Sequence, residues 1–370
     1  CFKPSVVLGF FMVHRGIILT YLAVHMGNFC LYVRVILDWT IYSLSTLLMP
    51  KIIVEICQNH NGDRSVLKEM IHAAKENGAD IIKGQVIFSQ DLTPRERFDE
   101  GHEEHNGVRK TIKRPYAAER ERLASLDLTE DDYRFFVDEV NHVGAIPMMT
   151  VFARNRVGLA AGLGWKGETF TKVASYDCAS MPLVSDLADH FDTLIVSTGA
   201  TFDDEIQKTA AMLKEKNKKF ALLHCVTNYP NTLAMANLNR MNWLRQFAMH
   251  VGWSDHTLVA RDGIKAAKVA LMLGADYIER HFTILSADKT KDGPISITPM
   301  LLRELADFAK LPNQEQMAMI QKEIPEWEIM LGHAQREMTH TEMLNRDYYR
   351  GRFASLVNNV WIYNWDETQI

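Results

Sequence analysis

Two lysines of this 370-residue chain lie inside short apolar runs, where a charged side chain needs a physical reason. Lys83 and Lys172 are each flanked by apolar residues typical of buried strands. Burying an unpaired ammonium group is expensive, so each lysine requires either an interior carboxylate or an anionic ligand. Glu55 and Glu279, in two other apolar runs, are the candidate carboxylates, and both are also candidates for acid–base or ligand roles.

Hydroxyl groups follow two of these runs. Ser175 lies three residues after Lys172, and Ser197 and Thr198 directly precede Gly199. Hydroxyl donors beside two lysines form a suitable cradle for a phosphate or carboxylate, and a glycine permits close approach of the backbone to a ligand. The residue types therefore favour a small anionic ligand.

Two histidines end neighbouring apolar runs near the C-terminal half of the chain. His256 follows Asp255, and His281 lies two residues after Glu279. Imidazoles on adjacent strand ends can share one divalent ion, and two histidines with oxygen partners suit Mn²⁺, Fe²⁺ or Zn²⁺. His224 is instead interpreted as a hydrogen-bonded interior histidine.

The elements that must position these side chains repeat along the chain. About eight short apolar runs are interpreted as strands: Ile52–Ile56, Ile81–Gln85, Ala145–Phe152, Phe170–Ala174, Thr193–Ser197, Phe220–Cys225, His250–Ser254 and Tyr277–Phe282. Amphipathic stretches predict helices between most of them, including Ser65–Asn77, Glu130–His142, Asp203–Lys216 and Arg261–Leu273. Thr129 is a good helix start, and Gly78, Gly144 and Gly274 fall where helices should end.

Buried strands that alternate with helices predict a parallel sheet, and eight repeats over residues 51–310 have the size of a (β/α)8 TIM barrel. In a barrel the polar strand ends meet at one mouth, where catalysis takes place. A doubly wound open sheet is the alternative, weakened because no GxGxxG sequence follows the first strand. The long charged connection Asp91–Thr129 is interpreted as either a substrate lid or a solvated excursion.

The ends of the chain differ from this α/β region. Residues 1–50 form an apolar extension, for which we keep three hypotheses: a spurious segment, a membrane-associating segment or a folded element. Residues 311–370 form a short helical or irregular tail. The net charge of −5 argues against a protein that coats nucleic acid. Five cysteines without a CxxC pair suggest a reducing cytoplasm.

The chain resembles the sialic acid synthase family (N-acetylneuraminate synthase and its relatives) in seven short sequences that occur in the same order. They cover about residues 51–310, and their shared order makes the resemblance specific. The matching sequences are Ile53–Gly62, Lys83–Gln85, Lys172–Ser175, Val196–Gly199, Leu222–Pro230, Ser254–Thr257 and Glu279–Thr283.

The resemblance implies a TIM barrel that condenses phosphoenolpyruvate with an N-acetylated amino sugar aldehyde, typically N-acetylmannosamine, to give a nine-carbon 2-keto acid and phosphate. It implies a divalent metal bound by His256 and His281, with Mn²⁺ expected and Mg²⁺ or Co²⁺ as alternatives. The phosphoenolpyruvate contacts that it implies are Lys83, Lys172, Ser175, Ser197, Asn228 and Tyr229. Glu55, Gln85 and Glu279 match positions at the sugar and reaction centre, and Asn59 is expected to bind substrate. A cytoplasmic homodimer is expected.

The chain departs from the family pattern in two places. Gly293-Pro294-Ile295 stands where the family commonly has Gly-Pro-Asp, so a carboxylate is missing unless Asp292 or Asp288 replaces it. Residues 311–370 are also too short for the antifreeze-like domain that brings an arginine into the partner's site in many members. Arg350 or Arg352, in a basic and aromatic tail, could take that role.

The sequence leaves three other functions open. Another phosphoenolpyruvate-dependent synthase of a 3-deoxy sugar acid would use similar barrel chemistry. A metallohydrolase would need more clustered histidine and aspartate ligands than the sequence offers. A catalytically silent barrel is opposed by the charged residues expected in its interior.

Overall fold

The computed structural model describes residues 7–13, 17–23 and 49–363. Two compact units result, residues 1–49 and residues 50–370. In the first, strands Val7–Val13 and Ile17–Ala23 pair antiparallel. The remainder of the N-terminal extension discussed above lies outside the described residues. Within the described ranges, no helix is long and apolar enough to cross a membrane.

The second unit contains a closed barrel of eight parallel strands, and the predicted (β/α)8 fold is confirmed. The strands are β1 (Lys51–Glu55), β2 (Ile81–Val86), β3 (Ile146–Val151), β4 (Phe170–Val173), β5 (Thr193–Ser197), β6 (Lys219–Cys225), β7 (His250–Asp255) and β8 (Tyr277–His281). Each strand pairs with its sequence neighbours, and β8 closes the barrel on β1.

Helices surround the barrel and bury their apolar faces against the outside of the strands. In chain order the helices of this unit are α1 (Arg64–Glu76), α2 (Arg97–Glu100), α3 (Tyr116–Ala124), α4 (Glu130–His142), α5 (Val157–Ala161), α6 (Met181–His190), α7 (Asp203–Glu215), α8 (Arg240–Leu244), α9 (Val259–Asp262), α10 (Lys265–Met272), α11 (Pro299–Ala309), α12 (Asn313–Glu323) and α13 (His340–Tyr349). Of these, α2, α3 and α13 do not belong to the layer around the strands.

Local side-chain chemistry sets where several helices begin and end. Thr129 forms a capping box with Asp132 at the start of α4, as its position predicts. The predicted helix Arg261–Leu273 is instead divided into α9 and α10. Gly263 lies between them at φ +56°, a left-handed conformation that ends α9 and that a residue with a side chain rarely adopts.

The barrel interior is layered, and the layers differ in polarity. Near the N-terminal strand ends, one buried apolar cluster consists of Ile53, Ile81, Met148, Phe170, Ile195, Ala221 and Leu223. Two residues further along the strands lie the buried residues Glu55, Lys83, Thr150, Lys172, Ser197, Cys225 and Glu279. Since side chains alternate with a period of two, this second set faces the same interior one layer higher. The fold therefore directs its buried polar groups to the C-terminal mouth.

Two further segments cover that mouth. The connection between β2 and β3 contains α2, α3 and a small hairpin of His102–Glu103 and Arg109–Thr111. The C-terminal segment contains α13 and the hairpin of Ala354–Val357 and Val360–Tyr363. The two segments meet where the Thr93 backbone N–H donates to the Arg352 carbonyl at 2.9 Å. The described part of the segment expected to be a tail is thus packed on the barrel.

Candidate active site

A cavity of about 490 Å³ lies at the C-terminal ends of the barrel strands. Ten of the twelve residues predicted for the site line it: Glu55, Lys83, Gln85, Lys172, Ser175, Ser197, Tyr229, His256, Glu279 and His281. Residues more than two hundred positions apart in the sequence therefore converge, because each stands at or just beyond the end of a barrel strand.

The other two predicted residues, Asn59 and Asn228, do not line the cavity. The Asn59 amide donates to the Phe282 carbonyl at 2.9 Å and to Ser296 Oγ at 3.0 Å, so it ties the loop after β1 to the loop after β8. Asn228 is buried, and its amide lies 3.7 Å from Met235 Sδ. Their geometry suits positioning of the loops, and direct contact with a substrate remains only a prediction.

Four charged side chains form the deepest part of the cavity, and we call Lys83, Lys172, Glu55 and Glu279 the deep cluster. Lys83 contacts Glu55 and lies 3.9 Å from Glu279 Oε2. Lys172 donates to Ser197 Oγ at 2.7 Å and lies 3.6 Å from Glu279 Oε1. Two cations thus pair with two carboxylates, so the lysines do not need an anionic ligand to offset their charge. All four groups nevertheless line the cavity.

The environment of the deep cluster shifts its proton affinities. Burial lowers the pKa of Lys83 to about 7, against the opposing effect of Glu279. Burial alone raises the pKa of Glu279, but Lys172 and Lys83 outweigh it and hold that pKa at about 2. Glu279 Oε1 accepts from Ser254 at 2.8 Å, whereas its buried Oε2 has no hydrogen-bond partner among the described residues. Glu279 is therefore an ionised carboxylate with one oxygen available.

The two histidines predicted to bind metal lie side by side at the mouth. The ring centroids of His256 and His281 are 5.5 Å apart. The Nδ1 atom of His256 lies 3.2 Å from the Val226 carbonyl, which leaves its Nε2 free for a metal. Burial lowers the pKa of His256 to about 3 and also lowers that of His281, so both rings are neutral at pH 7, the form that coordinates metals.

Two further donors beside His281 were not predicted as metal ligands. Donor atoms of Cys57, His281 and Asp292 lie within 4.8 Å of one another, and Cys57 Sγ donates to Asp292 Oδ2 at 2.8 Å. His281 Nδ1 is buried without a hydrogen-bond partner in the described part of the chain. An unpartnered imidazole beside a thiol and a carboxylate suits a divalent ion, so the residues fit the metal that the family resemblance implies.

Asp292 is a candidate replacement for the carboxylate that the chain lacks at Gly293-Pro294-Ile295. It lies in the cavity beside His281, whereas Asp288 is exposed. A carboxylate from the same loop therefore stands close to the site, although Ile295 occupies the position where the family commonly has aspartate. Cys57 could have been found from sequence only as the residue two positions after Glu55 at the end of β1.

The outer part of the cavity is lined by Arg114, Arg122, Lys291 and Arg352, which we call the rim cluster. Only Arg352 was considered from sequence. The other three lie in loops and in the insertion, which have no strand periodicity to show which way a side chain points. His224 is buried with Nε2 2.8 Å from the Ala236 carbonyl, as expected of an interior histidine.

The fold and the cavity define a (β/α)8 barrel enzyme whose polar interior opens at the C-terminal mouth. The sequence profile of the NeuB family matches residues 70–320, so the chain belongs to the NeuB family. The expectation of an enzyme of the sialic-acid-type synthase family is thereby confirmed.

Individual relatives agree with this assignment. The chain is 30% identical over 298 residues to the N,N'-diacetyllegionaminic acid synthase of Legionella pneumophila, covering 79% of this chain and 76% of that protein. It is 28% identical over 269 residues to the N-acetylneuraminate-9-phosphate synthase of Mus musculus, covering 70% and 69%. The crystal structure of N-acetylneuraminic acid synthetase from Leptospira borgpetersenii shares the fold, with 24% identity, a TM-score of 0.60 and coverage of 81% of this chain and 91% of that one.

Proposed function

We propose that the protein condenses phosphoenolpyruvate with an N-acetylated amino sugar aldehyde to give a nine-carbon 2-keto sugar acid and inorganic phosphate. One observation carries the proposal: Lys83 and Lys172 face the same cavity as His256 and His281. Two buried ammonium groups suit an anionic donor, and the adjacent metal ligands suit an electrophilic carbonyl. Membership of the NeuB family supports the same reaction class.

In this proposal Lys172 and Ser197 hold phosphoenolpyruvate. Lys172 Nζ already donates to Ser197 Oγ at 2.7 Å. An oxygen of the ligand can therefore join the same hydrogen-bond network without large movement of either side chain. Ser175, which also lines the cavity, adds a hydroxyl donor. Lys83 adds a second ammonium group, which balances negative charge on the ligand. The roles of these residues follow from their charge and position.

The acceptor aldehyde is assigned to the side of the cavity that contains His256 and His281. A divalent ion bound there by these histidines, with Asp292 and Cys57 as further donors, would supply Lewis acid polarisation of the aldehyde oxygen. Mn²⁺ suits the imidazole and carboxylate ligands, whereas a Cys57 thiolate would favour softer ions such as Co²⁺ or Zn²⁺. Gln85, whose amide lies 3.3 Å from Cys57 Sγ, is placed to hydrogen-bond the sugar.

The proposed condensation forms one carbon–carbon bond and breaks the bond between carbon 2 of phosphoenolpyruvate and the phosphate oxygen. Carbon 3 of phosphoenolpyruvate attacks the aldehyde carbon and forms the new carbon–carbon bond, while the aldehyde oxygen becomes a hydroxyl. Carbon 2 is left with positive charge, and water adds to it. One proton of that water is transferred to the former aldehyde oxygen, and the other leaves with phosphate when the tetrahedral centre collapses to the ketone. Glu279 stabilises the positive charge and, through Oε2, accepts a hydrogen bond from the water. Glu55 is less available, because its Oε1 accepts from the Cys57 N–H at 2.5 Å and its Oε2 contacts Lys83.

The acceptor is tested by release of inorganic phosphate from phosphoenolpyruvate. Purified protein is assayed with a panel of N-acetylated and free hexosamines, a pentose phosphate and a tetrose phosphate, each with Mn²⁺ and with a chelator. We expect release that requires both an N-acetylated hexosamine and the metal.

Release with the pentose or tetrose phosphate alone would indicate a synthase of a shorter 3-deoxy sugar acid. Release without any acceptor would indicate simple hydrolysis and contradict the proposal. The Lys268→Gln variant is assayed beside the wild type as a control for loss of a buried lysine away from the cavity. Lys268 lies in α10 and pairs with Glu304 at 2.7 Å on the outside of the barrel, so its loss should leave phosphate release unchanged.

A further inference from the structure

The rim cluster of Arg114, Arg122, Lys291 and Arg352 differs from the deep cluster in its balance of charge. Glu119 of α3 accepts two hydrogen bonds from Arg122 at 3.0 Å and one from Arg352 at 2.5 Å. The same carboxylate lies 3.9 Å from the Lys291 ammonium. Among the described residues, no other carboxylate lies within 4.0 Å of a rim cation. Glu119 therefore pairs with three of the four rim cations, and Arg114 pairs with no carboxylate in the described part of the chain.

Several donors of the rim cluster are left without an anionic partner. The Arg114 guanidinium donates to the neutral Tyr349 hydroxyl at 3.1 Å. Arg352 Nε is buried and has no hydrogen-bond partner within the described ranges. A buried guanidinium N–H without an acceptor is costly, and an anion at this position would satisfy it.

The proton affinities show the same surplus of positive charge. Burial lowers the pKa of Lys291 to about 8; Glu119 opposes the shift, and Arg114, Arg122 and Arg352 add to it. Glu119 is fully ionised, because Arg122 and Arg352 outweigh the effect of burial and hold its pKa at about 2. The rim cluster therefore keeps an excess of positive charge at neutral pH, even when the nearby Asp292 carboxylate is counted with Glu119.

The rim cluster borders the side of the cavity assigned to the acceptor. Lys291 precedes Asp292 in the chain, and the Asp292 carboxylate accepts a hydrogen bond from Cys57. Arg122 donates to Gln58 Oε1 at 3.2 Å, and Gln58 follows Cys57. A sugar whose aldehyde lies near His281 thus has arginines and a lysine along the path by which it extends toward solvent.

We propose that the acceptor carries a phosphate monoester at the end remote from its aldehyde, and that the rim cluster binds this phosphate. The inference rests on the proposed condensation and specifies its substrate class. Arginine forks match the geometry of phosphate oxygens, and a dianionic group supplies the charge that Glu119 alone does not.

The test compares an N-acetylated hexosamine with its 6-phosphate as acceptors, at fixed saturating phosphoenolpyruvate and metal. We expect the wild-type kcat/KM to be about a hundred-fold higher for the phosphorylated acceptor, since hydrogen bonds between charged groups contribute about ten- to a hundred-fold each. In Arg352→Met the ratio of the two kcat/KM values should fall by about ten-fold or more.

The Arg114→Met variant provides an independent measurement if loss of Arg352 weakens the fold, because Arg114 makes its side-chain hydrogen bond to a neutral hydroxyl. Thermal unfolding establishes that each variant is folded. Arg97→Met is the matched control: Arg97 is an exposed arginine of the same insertion, paired with Asp347 at 2.7 Å, and it does not line the cavity. Its acceptor ratio should equal that of wild type.

The outcomes separate this inference from the proposed function. Equal kcat/KM for the two acceptors in wild type would overturn the inference and leave the condensation intact. A rise in KM for phosphoenolpyruvate in Arg114→Met and Arg352→Met, with an unchanged acceptor ratio, would overturn it too, because the rim cluster would then bind the donor. Failure of both acceptors would contradict the condensation itself.

Discussion

The deep cluster and the rim cluster are two charged regions of one cavity, built on different principles. The deep cluster stands on barrel strands, and its two lysines meet two glutamates. The rim cluster comes from the insertion, the loop after β8 and the C-terminal segment, and three of its four cations share Glu119. The barrel thus supplies a nearly neutral centre, and the added segments supply the excess charge.

This difference suggests a division of roles. A neutral ionic centre can stay folded without a ligand, and it offers fixed charges to a reaction in which charge develops and moves. An excess of cations attracts a ligand from solvent and selects it by charge. Reaction class would then be carried by the strands, and acceptor choice by the segments that cover them.

The largest effect is expected from Lys172→Met in the deep cluster. Loss of this ammonium group removes the partner of Ser197 and a counter-charge of Glu279. We expect kcat to fall by about a hundred- to a thousand-fold, as for removal of one charge-stabilising donor. Steady-state phosphate release measures it, with Lys268→Met as the control. A comparable loss in both variants would mean that the effect reports general destabilisation.

The metal ligands come next. In His281→Ala we expect Co²⁺ affinity, measured by calorimetry, to drop by more than about ten-fold. Loss of a residue that only hydrogen-bonds to a metal ligand already costs about ten-fold, and His281 is itself a predicted ligand. In Cys57→Ala we expect Co²⁺ still to bind, but without the near-ultraviolet charge-transfer absorbance of a sulfur–cobalt bond. An unchanged absorption spectrum in that variant would exclude Cys57 from the ligand set.

The Glu119→Gln variant tests, through the pH dependence of stability, whether Glu119 holds the rim cluster together. The Glu119 pKa is depressed in the fold, so its ion pairs stabilise the protein above its ordinary pKa of 4.5 and are lost as the pH falls toward about 2. The free energy of unfolding, measured with urea, should therefore fall more for wild type than for the variant over that pH interval. Parallel pH profiles for both proteins would show that Glu119 does not hold the rim together.

The smallest effect concerns the C-terminal segment. The Asn345 amide donates to the Thr227 carbonyl at 2.7 Å and helps to fix α13 over the mouth. Asn345→Ala should cost about 1 kcal/mol of stability, the typical net contribution of one hydrogen bond. Asn106→Ala is the control, because Asn106 hydrogen-bonds only to its near neighbours Glu104 and Val108 in the exposed loop of the insertion hairpin, and it should lower the urea midpoint less than Asn345→Ala does.

The sequence allowed the fold and the deep cluster to be predicted for the same physical reason. A period of two places Glu55, Lys83, Lys172 and Glu279 on the inner face of strands whose other inward residues are apolar. The rim could not be predicted in this way. Arg114 lies in a loop of the insertion and Arg122 in its helix α3, and neither belongs to the strand pattern. Arg352 reaches the mouth only because the C-terminal segment packs there, a long-range contact without a local signal.

The central claim is that the cavity joins two substrates through a new carbon–carbon bond. Carbon-13 NMR of phosphoenolpyruvate labelled at carbon 3, incubated with an N-acetylated amino sugar or its 6-phosphate, tests it most directly. We predict that the olefinic signal is replaced by a methylene signal of a longer 2-keto acid. Appearance of the pyruvate methyl signal instead would identify a hydrolase and contradict the account.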